Sequence, residues 1–234
     1  MTDFDLISQN AAAIKANIAA AARRAGRAET NPVGIIGVTK TIDIERIKML
    51  TRCGITGLGE NRVQELMEKY DKIPGSDWHL IGRLQTNKVK YVVGKVSLIH
   101  SVDSLRLAGE ISKRAEQNGI VQDILAEINI AKEESKGGVF PEEAETFCAK
   151  LTELNGIRLA GLMCIAPFVD NPEENRVFFR KMRELFVDIQ AKNIDNIDMR
   201  HLSMGMTADY EVAVEEGATL VRIGTGFFGG RIAI

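Results

Sequence analysis

Short apolar segments alternate with amphipathic segments along the chain from residue 33 onwards. In the first of them, residues 33–38, every position is apolar or glycine, which is typical of a strand buried on both faces of a parallel sheet. The eight segments that we predict as strands are residues 33–38, 56–59, 78–81, 97–100, 122–130, 157–163, 198–202 and 219–223. The segments with apolar residues at helical spacing between them are residues 44–52, 63–70, 104–118, 141–153, 173–191 and 208–215.

This alternation predicts an α/β fold, a single (β/α)8 barrel of the TIM type that forms one domain over residues 1–234. An open doubly wound sheet of the flavodoxin or Rossmann type is the alternative, but no G-x-G-x-x-G motif follows the first strand. A further helical pattern covers about residues 3–24 and lies before the first strand. We expect it to be an extra helix, within the segment 1–27, that covers part of the barrel or its rim.

Composition narrows the class of partner. Lysine and arginine number 30 against 32 acidic residues, so bulk charge gives no attraction to nucleic acid or to an anionic membrane. No run of about 18 apolar residues occurs, and the first residues lack the apolar core of a signal peptide. Three cysteines with no close pair predict neither a disulfide framework nor a zinc site, and they favour a reducing compartment. We therefore expect a cytoplasmic protein that binds a small molecule.

Polar residues follow the predicted strands, at the carboxyl ends where barrels of this kind collect their functional groups. Lys40 follows the first strand, and its amine suits a Schiff base with an aldehyde once burial or nearby cations lower its pKa. The alternative is a lysine that only extends from a strand end into solvent. Asn61 occupies the corresponding place after the second strand.

The last two strand ends have the composition of a phosphate site. Glycine and threonine occupy positions 224–226, where backbone N–H groups can approach an anion, and barrels often bind phosphate at these two loops. Ser203 and Gly205 add a hydroxyl and an amide from the neighbouring loop. Tight turning alone is the other interpretation of the glycines. Thr207 is interpreted as a cap of the following helix, a structural role.

Arg222 lies one residue before the end of the eighth strand. It serves either as an internal ion-pair partner within the barrel or as a donor to a ring nitrogen of a bound cofactor. A lysine, an arginine and a phosphate site on one rim match the aldehyde, the pyridine nitrogen and the phosphate of pyridoxal 5′-phosphate (PLP). The sequence therefore predicts PLP as the cofactor, bound by Lys40, Arg222 and the glycine loops.

Sequence blocks between residues 38 and 225 carry a resemblance to a known family. They are VTK at 38–40, GENRVQE at 59–65, WHLIG at 78–82, LQTNK at 84–88, GLM at 161–163, LSMGM at 202–206 and VRIGT at 221–225. Together they resemble the signature blocks of the pyridoxal phosphate homeostasis protein family, and they extend over nearly the whole chain.

The resemblance implies a barrel similar to the N-terminal domain of alanine racemase, with PLP held as a Schiff base on Lys40. It implies that Arg222 faces the pyridine nitrogen and that Asn61 lies beside the ring. The residues that match the phosphate-binding blocks of the family are Ser203, Gly205, Gly224 and Thr225. The implied function is to hold PLP and to take part in intracellular vitamin B6 homeostasis, with transient contact with PLP-dependent apo-enzymes.

Catalytic turnover is disfavoured by the same residues. An arginine stays protonated, so the pyridine nitrogen facing it is unprotonated and the cofactor is a weak electron sink. Racemisation needs an acid or base on each face of the substrate, and racemases that resemble this barrel take the second one from an additional C-terminal β domain. We expect that domain to be absent here. The histidines, His79, His100 and His201, are interpreted as core residues with one hydrogen-bonded partner each.

We therefore predict a monomeric PLP carrier without catalytic turnover. A PLP-dependent amino-acid racemase is the alternative, and a barrel aldolase that uses Lys40 on a phosphorylated sugar is a third possibility. Lys136, in the loop after the fifth strand, offers a second amine that PLP could label weakly.

Overall fold

The computed structural model describes residues 2–27, 32–192, 194 and 197–229 of the 234-residue chain. Within this part, eight parallel strands close into a barrel in chain order, with the first strand bonded to both the second and the eighth. The strands are β1 Gly34–Val38, β2 Gly57–Glu60, β3 Asp77–Leu80, β4 Leu98–Val102, β5 Gln122–Ile128, β6 Ile157–Cys164, β7 Ile197–Met206 and β8 Leu220–Ile223. The predicted (β/α)8 barrel is confirmed.

Helices connect the strands and surround the barrel. They are α1 Asp3–Arg24, α2 Ile44–Arg52, α3 Val63–Tyr70, α4 Val89–Val92, α5 Leu105–Gln117, α6 Pro141–Leu151, α7 Arg176–Ala191, α8 Tyr210–Glu215 and α9 Thr225–Phe228. Two 3₁₀ turns, Thr86–Lys88 and Pro172–Asn175, precede α4 and α7.

Helix α1 has the bounds that its apolar spacing predicts. Thr2 begins it with a capping box to Asp5, and a stripe of buried residues that includes Ile7 and Ile14 faces the rest of the protein. The Asn10 side-chain amide donates to the carbonyl of Phe227 at 3.0 Å, so α1 lies against the turn that follows β8. The expected extra helix before the first strand is confirmed, and it packs against helices on the outside of the barrel.

The strands differ from their predicted bounds by four residues at the end of β7, by two at the ends of β4 and β5, and by at most one elsewhere. Strand β7 continues four residues beyond the predicted end at position 202, because it still pairs with β8 through Met206 and Arg222 after a register shift. Strand β5 stops at Ile128, because the amide of Asn129 turns away and donates to the carbonyl of Val139 at 2.9 Å.

The core has two layers. The larger one lies between the barrel and its helices, and the smaller one fills the barrel interior with Ile36, Ile81, Leu98, Leu125, Ala160, Met163 and Leu220. Strands β6 and β7 approach closely at Gly161, where a Cβ would lie 1.8 Å from the carbonyl oxygen of His201. A glycine is therefore required there, and it marks the register shift between the two strands.

All three cysteines are free thiols, and the described residues contain no group of His, Cys, Asp and Glu suited to a metal ion. None of the described helices combines the length and apolar character needed to span a membrane.

Candidate functional site

Three neighbouring strands bring most of the predicted site residues to one end of the barrel. Strand β8 pairs with β1 through Ile223 and Gly37, and with β7 through Arg222 and Met206. Lys40, two residues beyond the end of β1, therefore shares the carboxyl end of the barrel with the loops after β7 and β8. Ile36 and Val38 point into the barrel, and their alternation puts position 40 on the same side.

The backbone on both sides of Lys40 is held by a buried cluster between the barrel and α3. The Thr39 hydroxyl donates to Glu60 Oε1 at 2.7 Å, and Lys69 Nζ donates to the Thr39 carbonyl at 2.8 Å. The amide of Thr41, whose φ is 63°, donates to Glu65 Oε2 at 2.8 Å. The turn that presents Lys40 is therefore fixed at both ends by side chains of β2 and α3.

Glu60 and Lys69 form the centre of this cluster. Their Oε1 and Nζ atoms are 2.6 Å apart, and both residues are buried. Burial raises the pKa of the Glu60 carboxyl, and the hydrogen bonds from Lys69 and Thr39 act in the opposite direction. An ion pair of this kind gives little net stability but fixes geometry strongly, because either charge alone would be costly to bury.

Arg222 lies inside the barrel with 4% of its surface exposed. Its Nη1 donates to Ser203 Oγ at 2.6 Å, and its Nη2 donates to the Cys164 carbonyl at 2.8 Å. Burial lowers the pKa of the guanidinium, with Glu127 and Asp209 among the groups that oppose this, yet an arginine stays protonated at any ordinary pH. The barrel therefore holds a cation, directed by two bonds, just below its carboxyl end.

Backbone amides and a hydroxyl converge in the loops after β7 and β8. The Thr207 hydroxyl accepts from the amide of Gly224 at 3.3 Å and from that of Gly226 at 3.2 Å. Any side chain at these glycines would crowd the site, because a Cβ at 226 would lie 3.0 Å from Ile223 and one at 224 would lie 3.3 Å from Val38. A phosphate at this glycine-lined turn would take the two amide N–H groups in exchange for their bonds to Thr207, and the Thr207 hydroxyl could then donate to it as well.

Thr207 is a residue whose part in the site the sequence did not reveal. The predicted role as a helix cap is not what the structure shows, because α8 begins at Tyr210 with Asp209 before it, and the Thr207 hydroxyl is directed to the glycine amides. Asp209 holds the same turn, accepting from the amide of Met206 at 2.7 Å and from Asn175 at 2.8 Å.

The structure separates Ser203 from the other residues predicted to bind phosphate. The Ser203 side chain is fully buried inside the barrel, with Oγ bonded to Arg222 and 3.0 Å from His100 Nδ1. Thr225 is exposed and begins α9, and Gly205 has a φ of 87° that suits glycine. Contact of these three residues with a phosphate stays a prediction.

Asn61 is half-buried at the end of β2, where its amide donates to Glu60 Oε2 at 3.2 Å. The backbone of Asn61 lies directly against Gly82, since a Cβ at Gly82 would be 2.5 Å from the Asn61 carbonyl oxygen. The strand end is therefore fixed in place, and the position of the Asn61 side chain beside a cofactor ring stays a prediction.

Glu127 is a second residue that the sequence did not reveal. It pairs with Met163 of the barrel interior, and burial, with a smaller contribution from Asp103, raises the pKa of its carboxyl to about 7. The positive charges of Arg222 and Arg83 oppose this shift. A carboxyl that titrates near neutral pH close to a buried arginine is suited to moving a proton. The only signal in the sequence was an acidic residue flanked by apolar ones near the end of a strand.

Lys136 and two of the histidines have defined hydrogen-bond partners. The Lys136 amine donates to Glu133 Oε1 at 2.5 Å and to the carbonyl of Ala166 at 3.2 Å, which ties the loop after β5 to the loop after β6. His79 and His100 differ from the prediction of one partner each, because each ring has two.

Taken together, the donors fit PLP by their chemistry. A primary amine, a buried guanidinium and a glycine-lined pair of amides occur on β1, β8 and the loops after β7 and β8. These are the groups that an aldehyde, a pyridine nitrogen and a phosphate would need.

Comparison with known proteins gives the same result. The family model for the alanine racemase N-terminal domain matches residues 9–232. The pyridoxal phosphate homeostasis protein of Aquifex aeolicus (strain VF5) is 52% identical over 213 residues, which cover 90% of this chain and 92% of the relative. The one from Haemophilus influenzae is 36% identical and covers 96% of both chains.

Solved structures resemble the barrel over its whole length. A crystal structure of an unknown protein from Bifidobacterium adolescentis has a TM-score of 0.91 at 37% identity, covering 97% of this chain and 96% of that one. PipY of Synechococcus elongatus PCC7942 with PLP bound has a TM-score of 0.81 at 30% identity, covering 95% and 100%.

Alanine racemase from Corynebacterium glutamicum shares the fold, with a TM-score of 0.76 at 13% identity, and this chain covers 62% of its length. With the barrel, the site and the relatives in agreement, this chain belongs to the alanine racemase N-terminal domain family and, within it, to the pyridoxal phosphate homeostasis proteins.

Proposed function

We propose that this protein holds pyridoxal 5′-phosphate covalently on Lys40 and takes part in intracellular PLP homeostasis without catalytic turnover. The observation that carries the proposal is the meeting of Lys40, Arg222 and the Thr207–glycine turn on three adjacent strand ends. When bound, PLP supplies an aldehyde that bonds reversibly to a primary amine and a pyridine ring that withdraws electrons.

Each group of the chain has a separate task in this proposal. The amides of Gly224 and Gly226, with the Thr207 hydroxyl, would hold the phosphate, and the predicted contributions of Gly205 and Thr225 would add to them. Ser203, predicted to do the same, is already bonded to Arg222 and His100 and would hold Arg222 instead. Lys40 would hold the aldehyde, presented by a turn whose backbone is fixed on both sides. Asn61 would lie beside the ring.

Arg222 decides what the protein does with the cofactor. Its guanidinium is fully buried and permanently charged, so it donates to a ring nitrogen and holds that nitrogen unprotonated. A pyridine without its proton withdraws electrons weakly, which favours holding the cofactor over transamination or decarboxylation. The relatives named as homeostasis proteins, and PipY solved with PLP, support this choice.

The remaining features of the proposal follow from the charge and the cysteines. A net charge of −2 gives no attraction to nucleic acid or an anionic membrane, and three free cysteines suit a reducing compartment such as the cytoplasm. That the carrier is monomeric and meets PLP-dependent apo-enzymes only transiently stays a prediction.

The decisive experiment uses the protein purified without added cofactor. We expect a visible absorption band that borohydride bleaches, with the pyridoxyl mass on the peptide that contains Lys40. Lys40→Ala should abolish the reducible adduct while leaving the unfolding curve nearly unchanged, and Lys136→Ala, the matched control, should keep it. An adduct retained in full by Lys40→Ala and lost in Lys136→Ala would refute the assignment. A wild-type protein that binds no added PLP would favour the aldolase alternative.

A PLP-dependent amino-acid racemase is the second candidate, and Glu127 is the observation that favours it. Its pKa of about 7 gives the barrel end a carboxyl suited to serve as the acid or base opposite Lys40. Deuterium exchange at the α-carbon of alanine or serine separates the two functions. Exchange that is lost in both Lys40→Ala and Glu127→Gln would support the racemase, and a loaded protein with no exchange would support the carrier.

A further inference from the structure

A continuous chain of hydrogen bonds runs through the barrel interior below Arg222. Arg222 Nη1 is 2.6 Å from Ser203 Oγ, and Ser203 Oγ is 3.0 Å from His100 Nδ1. His100 Nε2 is then 2.9 Å from His79 Nδ1, and His79 Nε2 is 3.1 Å from Asp77 Oδ2. The chain thus crosses from β8 through β7 and β4 to β3, and it links the cofactor end with the opposite end of the barrel.

With one proton on each histidine ring, the two ends of this chain fix the direction of every bond in it. A guanidinium only donates and a carboxylate only accepts, so protons must point from Arg222 towards Asp77. Ser203 accepts from Arg222 and therefore donates to His100 Nδ1. His100 must then donate from Nε2 to His79, and His79 must donate from Nε2 to Asp77. In this arrangement each ring carries its single proton on Nε2.

The far end of the chain opens to solvent at the amino-terminal mouth of the barrel. The Asp77 side chain is 56% exposed, and Asp77 and His79 line a cavity of about 510 Å³ at the starts of the strands. His100, by contrast, is fully buried. Only the outer members of the chain therefore meet water directly.

Charged and titratable groups surround the chain from several elements. Burial lowers the pKa of His100 well below its usual value, and the charges of His79, Arg222 and His201 act in the same direction. The Asp77 carboxyl has a lowered pKa because His79 bonds to it. The other groups at the mouth are Lys15 of α1, Asp123 of β5, and Arg200 and His201 of β7.

We propose that Asp77, His79, His100 and Ser203 are positioning residues, which hold Arg222 towards the cofactor ring and transmit a change of charge at the amino-terminal mouth to it. This inference rests on the proposed function, because Arg222 is the group that would face the pyridine nitrogen. Through this chain, the charge at the amino-terminal mouth and the bonding of Arg222 near the carboxyl end would be coupled.

Protonation of His79 would reverse the inner part of the chain. A doubly protonated His79 presents Nδ1–H to His100, so His100 must offer a lone pair at Nε2 and carry its proton on Nδ1. Ser203 would then accept from both His100 and Arg222, and its own hydroxyl proton would lose its acceptor. One proton taken up at the mouth therefore changes the bonding next to Arg222.

The first test needs no cofactor. The chain contains three histidines, so 15N-histidine NMR of the cofactor-free protein gives a simple spectrum, and His201→Gln identifies the third ring. At pH 8 we expect His79 and His100 neutral with the proton on Nε2. In acid, His100 should move its proton to Nδ1 at the pH at which His79 becomes charged. A proton on Nδ1 of either ring at pH 8, or independent titrations, would overturn the inference.

The second test uses the PLP-loaded protein and the pH midpoint of its visible band. Asp77→Asn should move the midpoint downwards by roughly half a pH unit, because losing a negative charge disfavours the protonated form of the adduct. Asp198→Asn is the matched control, since it removes an acidic side chain of similar exposure, 45%, at the same face but outside the chain. Its midpoint should equal that of the wild type.

The outcomes of the two tests are distinct. If Asp77→Asn and Asp198→Asn both keep the wild-type midpoint, the chain has only a structural role and the coupling is overturned. Equal shifts in the two variants would also overturn it. A wild-type protein that takes up no PLP would refute the proposed function and the coupling with it, while the NMR result would still show whether the oriented chain exists.

Discussion

The Glu60–Lys69 cluster lies between the barrel and α3, whereas the chain from Arg222 to Asp77 lies inside the barrel. The first is an ion pair that holds a backbone turn, through Thr39 on one side of Lys40. The second joins one buried cation, through uncharged side chains, to the partly exposed Asp77 carboxylate, and it holds a side chain instead. Both are polar and largely buried, but the first restrains the backbone beside Lys40 and the second restrains the side chain of Arg222.

The difference follows from the separate tasks proposed for Lys40 and Arg222. The lysine proposed to bond covalently to the cofactor has to be presented at the barrel end, and the backbone on both sides of it is held. An arginine that only donates hydrogen bonds works best when its side chain is held, because a preorganised donor loses little entropy on binding. The two clusters therefore respond differently to mutation.

The largest effect should come from breaking the charged cluster. Lys69→Met leaves Glu60 buried without its partner, and we expect a loss of about 3–5 kcal/mol in the free energy of unfolding, measured in urea. Lys48→Met is the control, because its pair with Glu45 is exposed and should change stability by less than about 1 kcal/mol. Equal losses in the two variants would show that burial of the pair does not matter.

The pH dependence of stability tests Glu127, near the carboxyl end of the barrel, in the cofactor-free protein. Its carboxyl has a pKa of about 7 in the folded protein against an ordinary 4.5, so the stability it contributes is full below pH 4.5 and is lost as pH rises to 7. Glu127→Gln should therefore be more stable than the wild type at pH 8, by up to about 3 kcal/mol, and equal to it at pH 4. Glu143→Gln removes an exposed carboxyl of α6, and its stability relative to the wild type should not change with pH in this way.

Breaking the chain of hydrogen bonds should cost less than breaking the ion pair. Ser203→Ala leaves Arg222 Nη1 and His100 Nδ1 without their shared partner, and we expect a loss of about 1–3 kcal/mol by urea unfolding. Ser135→Ala, in an exposed loop, is the control and should have no measurable effect. A loss in Ser203→Ala as large as that in Lys69→Met would remove the distinction between the two clusters.

The smallest effect concerns the phosphate turn. Thr207→Val keeps the shape of the side chain but removes the hydroxyl, and we expect PLP to dissociate about tenfold more readily, a loss of about 1.4 kcal/mol. Thr207→Ser keeps the hydroxyl and should bind like the wild type in an equilibrium titration. If Ser and Val weaken binding equally, the methyl contact matters and the hydroxyl does not.

Much of the fold could be predicted from the sequence, because each strand is a short apolar run and each long helix has a regular apolar spacing. Helix α1 has the predicted bounds of Asp3 and Arg24. The short helices α4 and α9 were missed, because four residues are too few to show a helical period. The 3₁₀ turn before α7 was merged with that helix for the same reason.

The site was harder to predict where strands shift register. Ser203 was placed at the end of a strand, whereas β7 continues to Met206 past an irregularity and Ser203 points into the barrel. A single shift moves a residue between rim and interior, and the sequence carries no mark of it. The role of Thr207 depends on a contact between two loops, which no local pattern encodes.

The closure of β1 against β8 also has a consequence for biosynthesis. Lys40 leaves the ribosome early, but Arg222 and the turn at Gly224 are among the last parts of the described chain to be made, and α1 must wait for Phe227 before its contact can form. Domains fold as units as they emerge, and closure by such distant contacts is slow. On the proposed function, a nascent chain would therefore carry Lys40 but no complete binding site, and capture of PLP would become possible only when the barrel is finished.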